Sequence, residues 1–229
     1  MEEKRLSDYN YCMIDSIVIT CKRPNGASYL IPTIGSACFA GFSPCFFYDG
    51  DDSEIMNLMP HRVYGGSDVR LGIVPTYRSA LKAMHHSERF VVIQDDVILS
   101  KGLREWLESQ ELPDGVISLY SPNDGPDGWN EFDLTPTSDN PFPWLNGIGG
   151  CAMLFTREIA QSLLDQEPPV RTDRLGAWIG EFCYNHGVSL WLHNPSLVQH
   201  IGEQGYRGPA TDQKQAKRFC EDVCELEAA

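Results

Sequence analysis

The stretch that most constrains the fold is RFVVIQDDVIL, residues 89–99. Its nearly continuous apolar run is typical of a strand that is buried on both faces in a parallel sheet. Two adjacent carboxylates, Asp95 and Asp96, interrupt this run. Buried carboxylates are costly to desolvate unless a positive group lies beside them. A divalent cation that carries a phosphorylated substrate is one explanation, and a solvated turn, where aspartate is common, is the other.

Composition excludes some classes of protein. A chain of 229 residues is long enough for one sizeable domain, and its formal net charge of −14 argues against a broad duplex-binding surface. No apolar run approaches the roughly 20 residues of a membrane span, and the charged N-terminus lacks the features of a signal peptide. We therefore expect a cytoplasmic protein whose eight cysteines are reduced thiols.

Strand-like and helix-like patterns alternate in the first half of the chain. This order predicts an α/β domain with a mostly parallel central sheet and helices on both faces, whose ligands bind at the carboxyl ends of the strands. Arg23, in the turn after the first strand, is placed either to meet a base or phosphate or to be an exposed turn charge. The predicted strands are 16–21, 44–48 and 89–99, and the predicted helices are 28–40 and 75–86. Residues 49–52 (DGDD) are predicted to be a turn, and residues 63–71 an irregular segment.

The second half begins with a long loop, residues 121–146. Its aromatic residues argue against disorder, and they either bind sugar rings or cover the edge of the sheet. These aromatic residues are Trp129, Phe132, Phe142 and Trp144. Beyond the loop we expect a glycine-rich strand (147–155), a helix (157–166), a further helix after Asp173, a strand (188–192) and a C-terminal helix.

Three segments carry a resemblance to a known family. VIQDDVIL resembles the acidic metal motif of GT-A-fold glycosyltransferases, and GGCAMLFTREIAQSLL looks like the strand and helix that line their donor and acceptor cleft. NPSLVQHIG is similar to the PSLxQHxG segment of the branching N-acetylglucosaminyltransferases. The resemblance spans roughly residues 16–203. It implies a GT-A, Rossmann-like single domain that uses a nucleotide-sugar donor.

The resemblance assigns roles at the metal and at the donor. Asp96 and His200 would bind Mn²⁺ or Mg²⁺, and Gln94 and Asp95 would meet the ribose and metal-bound water. Gln94 stands where the family usually has an acid. The other donor-binding residues implied by the resemblance are Thr20, Arg23, Gly149 and Gly150.

The resemblance also implies a catalytic base. Asp173 stands where relatives place that base, and Glu181 is the second choice. A carboxylate that removes the acceptor proton implies inversion at the anomeric carbon. Read from the residues alone, Asp173 is equally well a helix N-cap, and His200 is more often a structural histidine.

The implied organisation is a lead-in (1–13), a catalytic domain (14–203) and a C-terminal loop and helix (204–229). Residues 14–120 would bind the nucleotide sugar, with a UDP-sugar favoured, and residues 121–203 the acceptor. The acceptor is a glycan or another hydroxyl compound, with a hydroxylated DNA base as a minority possibility. Two alternatives stay open: a non-catalytic sugar- or nucleotide-binding domain of the same fold, and a nucleotidyltransferase that forms sugar nucleotides. The turn CKRPNG is poor in glycine for the phosphate loop of the latter.

Overall fold

The computed structural model describes residues 14–21, 29–50, 63–67, 69–143, 149–167, 175–202, 204–205, 208–209 and 215–226. The predicted lead-in, residues 1–13, lies outside these ranges. The helices are α1 (Leu30–Phe39), α2 (Ile73–Ala83), α3 (Leu103–Ser109), α4 (Arg157–Leu164) and α5 (Leu175–His186), followed by a 3₁₀ turn at Val223–Glu225. The strands are β1 (Ile14–Cys21), β2 (Cys45–Asp49), β3 (Val63–Ser67), β4 (Arg89–Gln94), β5 (Val97–Leu99), β6 (Val116–Ser118), β7 (Gly128–Glu131), β8 (Ala152–Thr156), β9 (Leu190–Asn194), β10 (Val198–His200), β11 (Gln204–Gly205) and β12 (Gly208–Pro209).

Eight of these strands form one central sheet in the order β3-β2-β1-β4-β8-β6-β9-β7. The pairs β3–β2, β2–β1, β1–β4 and β6–β9 are parallel. Antiparallel pairing is confined to β4–β8, β8–β6 and β9–β7. The prediction of a single α/β domain around a mostly parallel sheet is therefore confirmed, with β8 as an antiparallel strand in its centre.

Side-chain alternation along the strands builds a core on each face of the sheet. On β4, Val91 and Ile93 belong to the core that includes residues of α1 and α3. Phe90 and Val92 belong to the opposite core, with residues of α2, α4 and α5. All four side chains are fully buried, as expected for a central strand covered on both faces.

The predicted strand 89–99 is wrong in one respect, because it is not continuous. It breaks at a turn formed by Asp95 and Asp96, and β5 then pairs antiparallel with β10 in a separate two-stranded sheet. Thr33 of α1 fastens this break. Its hydroxyl lies 2.9 Å from the Asp95 carbonyl oxygen and 2.8 Å from that of Val97. A buried side chain from another element therefore redirects the chain after β4.

Two segments predicted without regular structure contain strands. Residues 63–67 form the edge strand β3, in which a Cβ on Gly66 would lie 2.0 Å from the Tyr48 ring. Glycine there is explained by packing against a neighbouring aromatic ring, so it does not break the strand. Residues 128–131 of the predicted loop form the opposite edge strand, β7.

The predicted C-terminal helix is wrong for residues 215–226. They run extended into the short 3₁₀ turn and bond to two loops of the domain. The Ser196 amide donates to the Arg218 carbonyl, and the Lys101 amide donates to that of Glu221, at 2.9 and 2.8 Å. Backbone bonding to the domain, which helical periodicity cannot reveal, sets this conformation.

The aromatic residues of the long loop divide between two positions. Trp129 packs on Trp106 and His193, with ring centroids 6.0 and 4.7 Å apart, and Phe132 packs against the core on the other face. Both cover the sheet edge, which favours that alternative over sugar binding. Phe142 is exposed, and Trp144 lies outside the described residues.

Two absences hold for the described part of the chain. None of its helices has the length and apolar character that crossing a bilayer requires. No disulfide is formed by the seven cysteines within that part of the chain.

Candidate functional site

The site predicted from the sequence lies where β1 and β4 end side by side. Parallel pairing of Ile19 with Gln94 brings Thr20 and Asp95 to the same edge of the sheet. The Asp95 carboxylate accepts hydrogen bonds from the Thr20 hydroxyl at 2.9 Å and from the Cys21 amide at 3.3 Å. These donors stabilise a carboxylate that is only 6% exposed. Asp95 and Thr20 therefore join two strand ends, and their contact with a donor stays a prediction.

Asp96 lies against His200, with its Oδ2 atom 3.2 Å from the histidine Nε2 atom. The β5–β10 ladder causes this contact between residues far apart in the chain. It pairs Val97 with His200, and the Ile201 amide donates to the Asp96 carbonyl at 2.9 Å. Both side chains are buried. The two predicted metal ligands thus meet, and we call them the acid–histidine pair.

Three observations test whether this pair suits a divalent cation. A carboxylate oxygen and an imidazole nitrogen are both ligands of Mn²⁺, and a site with few protein ligands takes the others from substrate phosphates and water. The His200 Nε2 atom is buried, and its 3.2 Å approach to the Asp96 carboxylate lacks the geometry of a hydrogen bond. Finally, a Cβ on Gly202 would lie 2.6 Å from the Asp96 Oδ2 atom, so glycine at this position permits the present approach of Asp96 to His200. The pair fits such a cation.

The fit is that of a two-ligand site. Among the described residues, no cluster of three or more histidine, cysteine, aspartate or glutamate side chains is arranged to hold a metal. Asp95, although adjacent to Asp96, is bound to Thr20 and Cys21. Phosphate oxygens of a substrate would therefore have to complete the coordination sphere.

Gln94 contacts the segment that leads into β8, residues 149–151, which we call the glycine strap. Its side-chain Nε2 atom donates to the Gly150 carbonyl at 3.0 Å, and its backbone amide donates to the Cys151 carbonyl at 2.7 Å. The Ser118 hydroxyl donates to the Gly149 carbonyl at 3.3 Å. The strap is thus held from β4 and from β6.

The two glycines of the strap have a packing role. A Cβ on Gly149 would lie 2.4 Å from the Tyr120 ring, and a Cβ on Gly150 would lie 2.5 Å from the Leu175 side chain at the start of α5. Larger residues would push these neighbours away. Contact between either glycine and a donor stays a prediction, and the packing alone accounts for glycine at both positions.

Cys151, at the end of the strap, is a buried thiol close to the acid–histidine pair. Burial raises its pKa, and the nearby Asp96 carboxylate raises it further. The thiol therefore stays protonated at neutral pH, and it is not a nucleophile of the site.

The predicted residues Arg23 and Asp173 lie outside the described residues. Glu181, the second choice for the base, is exposed on α5, about 9 Å along the helix axis from Leu175 at ~1.5 Å per residue. No described contact joins Glu181 to the acid–histidine pair. The geometry therefore gives Glu181 no support.

Asp49 is an acidic residue at another strand end, and it has a different role. Its carboxylate oxygens accept from the backbone amides of Leu71 and Gly72, at 2.6 and 3.0 Å, just before α2 begins. Asp49 is the last residue of β2, so it is not part of the predicted turn, and its bonding is structural. Asp51 and Asp52 lie outside the described residues.

Sequence reasoning missed Thr33 and Gly202. Thr33 lies on the buried face of α1, and nothing in its local pattern indicates that it bonds across to the Asp95 turn. Gly202 belongs to the QHIG segment that the resemblance singled out, which is the one signal available for it.

A cavity of about 460 Å³ lies elsewhere, between the end of α5 and the strands β7 and β9. Its acidic residues Glu131 and Asp133 are exposed and accept from the Ser189 hydroxyl and the Thr135 amide. The cavity is open to solvent and contains none of the predicted site residues.

Two solved structures share the fold. GalNAc-T7, solved with UDP, GalNAc and Mn²⁺, aligns over 85% of this chain with a TM-score of 0.55 and 14% identity, and the chain spans 45% of that protein. A protein described as a glucose-1-phosphate thymidylyltransferase of Bacillus anthracis, in complex with sucrose, aligns over 82% with a TM-score of 0.52 and 12% identity, and 89% of it is covered.

These likenesses define the class of fold. The chain has a GT-A-like, Rossmann-like α/β fold, which it shares with GalNAc-T7 and with the protein described as a thymidylyltransferase. No protein-family model matches the chain, and no curated protein matches its sequence. At these identities the comparisons show the fold alone, and the resemblance to the branching N-acetylglucosaminyltransferases stays a prediction.

Proposed function

We propose that this chain is a metal-dependent glycosyltransferase that moves a sugar from a nucleoside-diphosphate sugar to an acceptor hydroxyl with inversion. The observation that carries the proposal is the buried contact between Asp96 and His200, which glycine at position 202 permits. This pair lies just beyond the carboxyl end of β4, where ligands bind in open α/β sheets. The likeness to GalNAc-T7, whose structure holds UDP and Mn²⁺, supports it.

Asp96 and His200 would hold the Mn²⁺ or Mg²⁺ ion. When bound there, such an ion supplies Lewis-acid stabilisation of the negative charge that develops on a leaving diphosphate. Glycine at position 202 would let the side chains of Asp96 and His200 keep their present positions, because a Cβ there would displace one of them. Asp95 and Thr20 would fix the ends of β1 and β4, and Arg23 would meet the donor from the turn after β1.

Asp173 is proposed as the general base, with a carboxylate oxygen that takes the proton from the attacking hydroxyl. Leu175, two residues later, begins α5 and packs on Gly150, and Gly150 is hydrogen bonded to Gln94. The start of α5 is therefore linked to the acidic turn. Attack from the side opposite the diphosphate inverts the anomeric carbon.

The acceptor is proposed to be a glycan or another hydroxyl compound. A hydroxylated base in DNA is a weaker candidate, because a net charge of −14 opposes approach to a polyanion. A UDP-sugar is the favoured donor.

A nucleotidyltransferase that forms sugar nucleotides is the second candidate, because the fold likeness includes a protein described as one. The two enzymes release different products from different substrates. Glycosyl transfer releases a nucleoside diphosphate, whereas nucleotidyl transfer releases pyrophosphate from a nucleoside triphosphate and a sugar phosphate.

The deciding experiment incubates the chain with UDP- and GDP-sugars, and separately with nucleoside triphosphates and sugar 1-phosphates, in Mn²⁺ or in EDTA. We expect diphosphate release in Mn²⁺ that is lost in EDTA and in Asp96→Asn. Asp139→Asn, which changes an exposed loop carboxylate, is the matched control and should keep activity.

The other results identify the alternatives. Pyrophosphate release would establish the nucleotidyltransferase. A donor-dependent rise in melting temperature without turnover would indicate a binding domain, since a ligand at 100 times its Kd adds about 2.7 kcal/mol. If the chain neither releases a product nor binds a donor, the proposal is rejected.

A further inference from the structure

Gln94 stands where the resemblance implies an acid, and its side chain has a specific partner. Its Nε2 atom donates to the Gly150 carbonyl at 3.0 Å. We infer that Gln94 is a positioning residue, which holds the glycine strap in place through this hydrogen bond and so sets the distance between the start of α5 and the acidic turn. The inference rests on the proposed function, in which this distance separates the proposed base from the cation site.

The chemistry of the contact explains why the residue is glutamine. A carbonyl oxygen only accepts hydrogen bonds, so the side chain at position 94 has to donate. An ionised glutamate or aspartate has no hydrogen to donate, and its oxygen would face the oxygen of Gly150. Such a contact repels and leaves a buried acceptor without its partner. The departure from the acidic motif is therefore a requirement of the strap.

The strap transmits this constraint in two directions. On one side, Gly150 touches Leu175, the first residue of α5, so closely that a Cβ would lie 2.5 Å from the leucine. On the other side, Cys151 lies near Asp96, whose carboxylate contributes to the raised pKa of the thiol. A shift of the strap would move the start of α5 relative to the acid–histidine pair.

The variant Gln94→Glu distinguishes this inference from the alternative that position 94 contributes to the cation site. If position 94 serves the cation, Gln94→Glu adds an anionic ligand and Mn²⁺ binds more tightly. If it serves the strap, Gln94→Glu removes the donor, loosens residues 149–151 and does not tighten Mn²⁺ binding.

Hydrogen–deuterium exchange of the peptide that covers residues 149–156 measures the strap directly, without metal or substrate. Each variant is compared with wild type at the same pH. At pH 8 we expect about fivefold faster exchange in Gln94→Glu, the size of one lost hydrogen bond. Gln94→Met, which has a similar shape and no donor, should also exchange faster than wild type.

Gln110→Glu is the matched control, because it places the same charge at the end of α3 and should leave exchange at wild-type rates. In turnover, Gln94→Glu should lower kcat by about tenfold with a smaller change in KM, as expected for misplaced reacting groups. Wild-type exchange in Gln94→Glu at pH 8, or tighter Mn²⁺ binding by isothermal titration, would overturn the inference.

The two proposals fail separately. If wild type shows no turnover but the exchange results hold, the glycosyltransferase assignment fails and the structural role of Gln94 stands. If wild type turns over and Gln94→Glu exchanges as wild type does, the inference about Gln94 fails alone. Should Gln94→Glu not fold, Gln94→Met provides the exchange test.

Discussion

Two histidines seven residues apart show how differently two parts of this domain use the same side chain. His193 on β9 is 4% exposed, and His200 on β10 is 3% exposed. His193 lies in an aromatic cluster with Trp106 and Trp129, at centroid distances of 5.3 and 4.7 Å, and its Nδ1 atom is 2.8 Å from the Pro195 carbonyl oxygen. Burial therefore does not distinguish the two histidines.

Their partners do distinguish them. The ring nitrogen of His193 donates to a backbone carbonyl, which is the usual bonding of a structural histidine. The Nε2 atom of His200 faces the carboxylate of Asp96 at 3.2 Å. A buried histidine beside a carboxylate has the geometry that a cation can use, and a buried histidine between indole rings has the geometry of a core. We therefore assign function to the acid–histidine pair and stability to the aromatic cluster.

The largest effect should follow from changing the two histidines in parallel. His200→Asn should lower metal-dependent diphosphate release by roughly 100- to 1,000-fold, because metal catalysis contributes several kcal/mol and each 1.36 kcal/mol is tenfold. His193→Asn is its matched control and should keep most of the activity. Steady-state release assays at saturating Mn²⁺ measure both. Equal losses in the two variants would break the comparison.

Trp129→Ala should produce the opposite pattern, with lost stability and retained activity. Trp129 is partly buried and contacts both Trp106 and His193, so its removal should lower the free energy of unfolding by about 2 kcal/mol. Urea unfolding measures this change. Phe39→Ala, at a site that is 75% exposed, should change it by less than about 0.5 kcal/mol. A Trp129 variant of normal stability that no longer turns over donor would instead place the aromatic cluster in the active site.

Gly202→Ala should weaken Mn²⁺ binding by about tenfold, the lower range seen when residues that support metal ligands are changed. The added Cβ would lie 2.6 Å from the Asp96 Oδ2 atom and 3.0 Å from the His200 Cε1 atom, so it would displace one of them. Isothermal titration with Mn²⁺ gives the affinity. Gly35→Ala is the control, since a Cβ on Gly35 meets nothing within 4 Å. If Gly202→Ala binds Mn²⁺ as wild type does, the cation site is not at this pair.

The periodicity of apolar residues predicted the central strand and the first two helices, which depend on neighbouring residues in the chain. The apolar run of residues 90–93 is buried on both faces, as its composition indicated. The acidic residues did mark strand ends, and the helices α1 and α2 begin and end close to their predicted limits. Periodicity depends on neighbouring residues, so it survives in any fold that these elements build.

Contacts between residues far apart in the chain determine the features that local pattern did not predict. Asp95 and Asp96 are adjacent in the chain, yet one is bound by Thr20 and the other faces His200, 104 residues later. The sequence assigned both to one site because nothing local separates them. The conformation of the C-terminal residues likewise depends on hydrogen bonds to distant loops. Helical propensity is a local property, so it does not predict such bonds.

The smallest effect should be the pH dependence of stability that His193 introduces. Burial lowers the pKa of His193, against the opposing influence of its hydrogen bond to Pro195 and of the Asp127 carboxylate. In the unfolded chain the pKa of histidine is about 6.5. The unfolded state therefore binds protons more readily than the folded state. The contribution of neutral His193 is complete above pH 6.5, and it is lost as the pH falls from there through the lowered folded-state pKa.

Urea unfolding between pH 7.5 and pH 5.5 tests this sign. The free energy of unfolding of wild type should fall over that interval more steeply than that of His193→Asn, which has no proton to gain at this position. The difference between the two slopes isolates His193 from the other titrating groups. A wild-type slope no steeper than that of the variant would mean that the ring is as easily protonated in the folded chain as in the unfolded one. The aromatic cluster would then not exclude charge, and the contrast between its neutral histidine and the histidine beside Asp96 would have to rest on the partners alone.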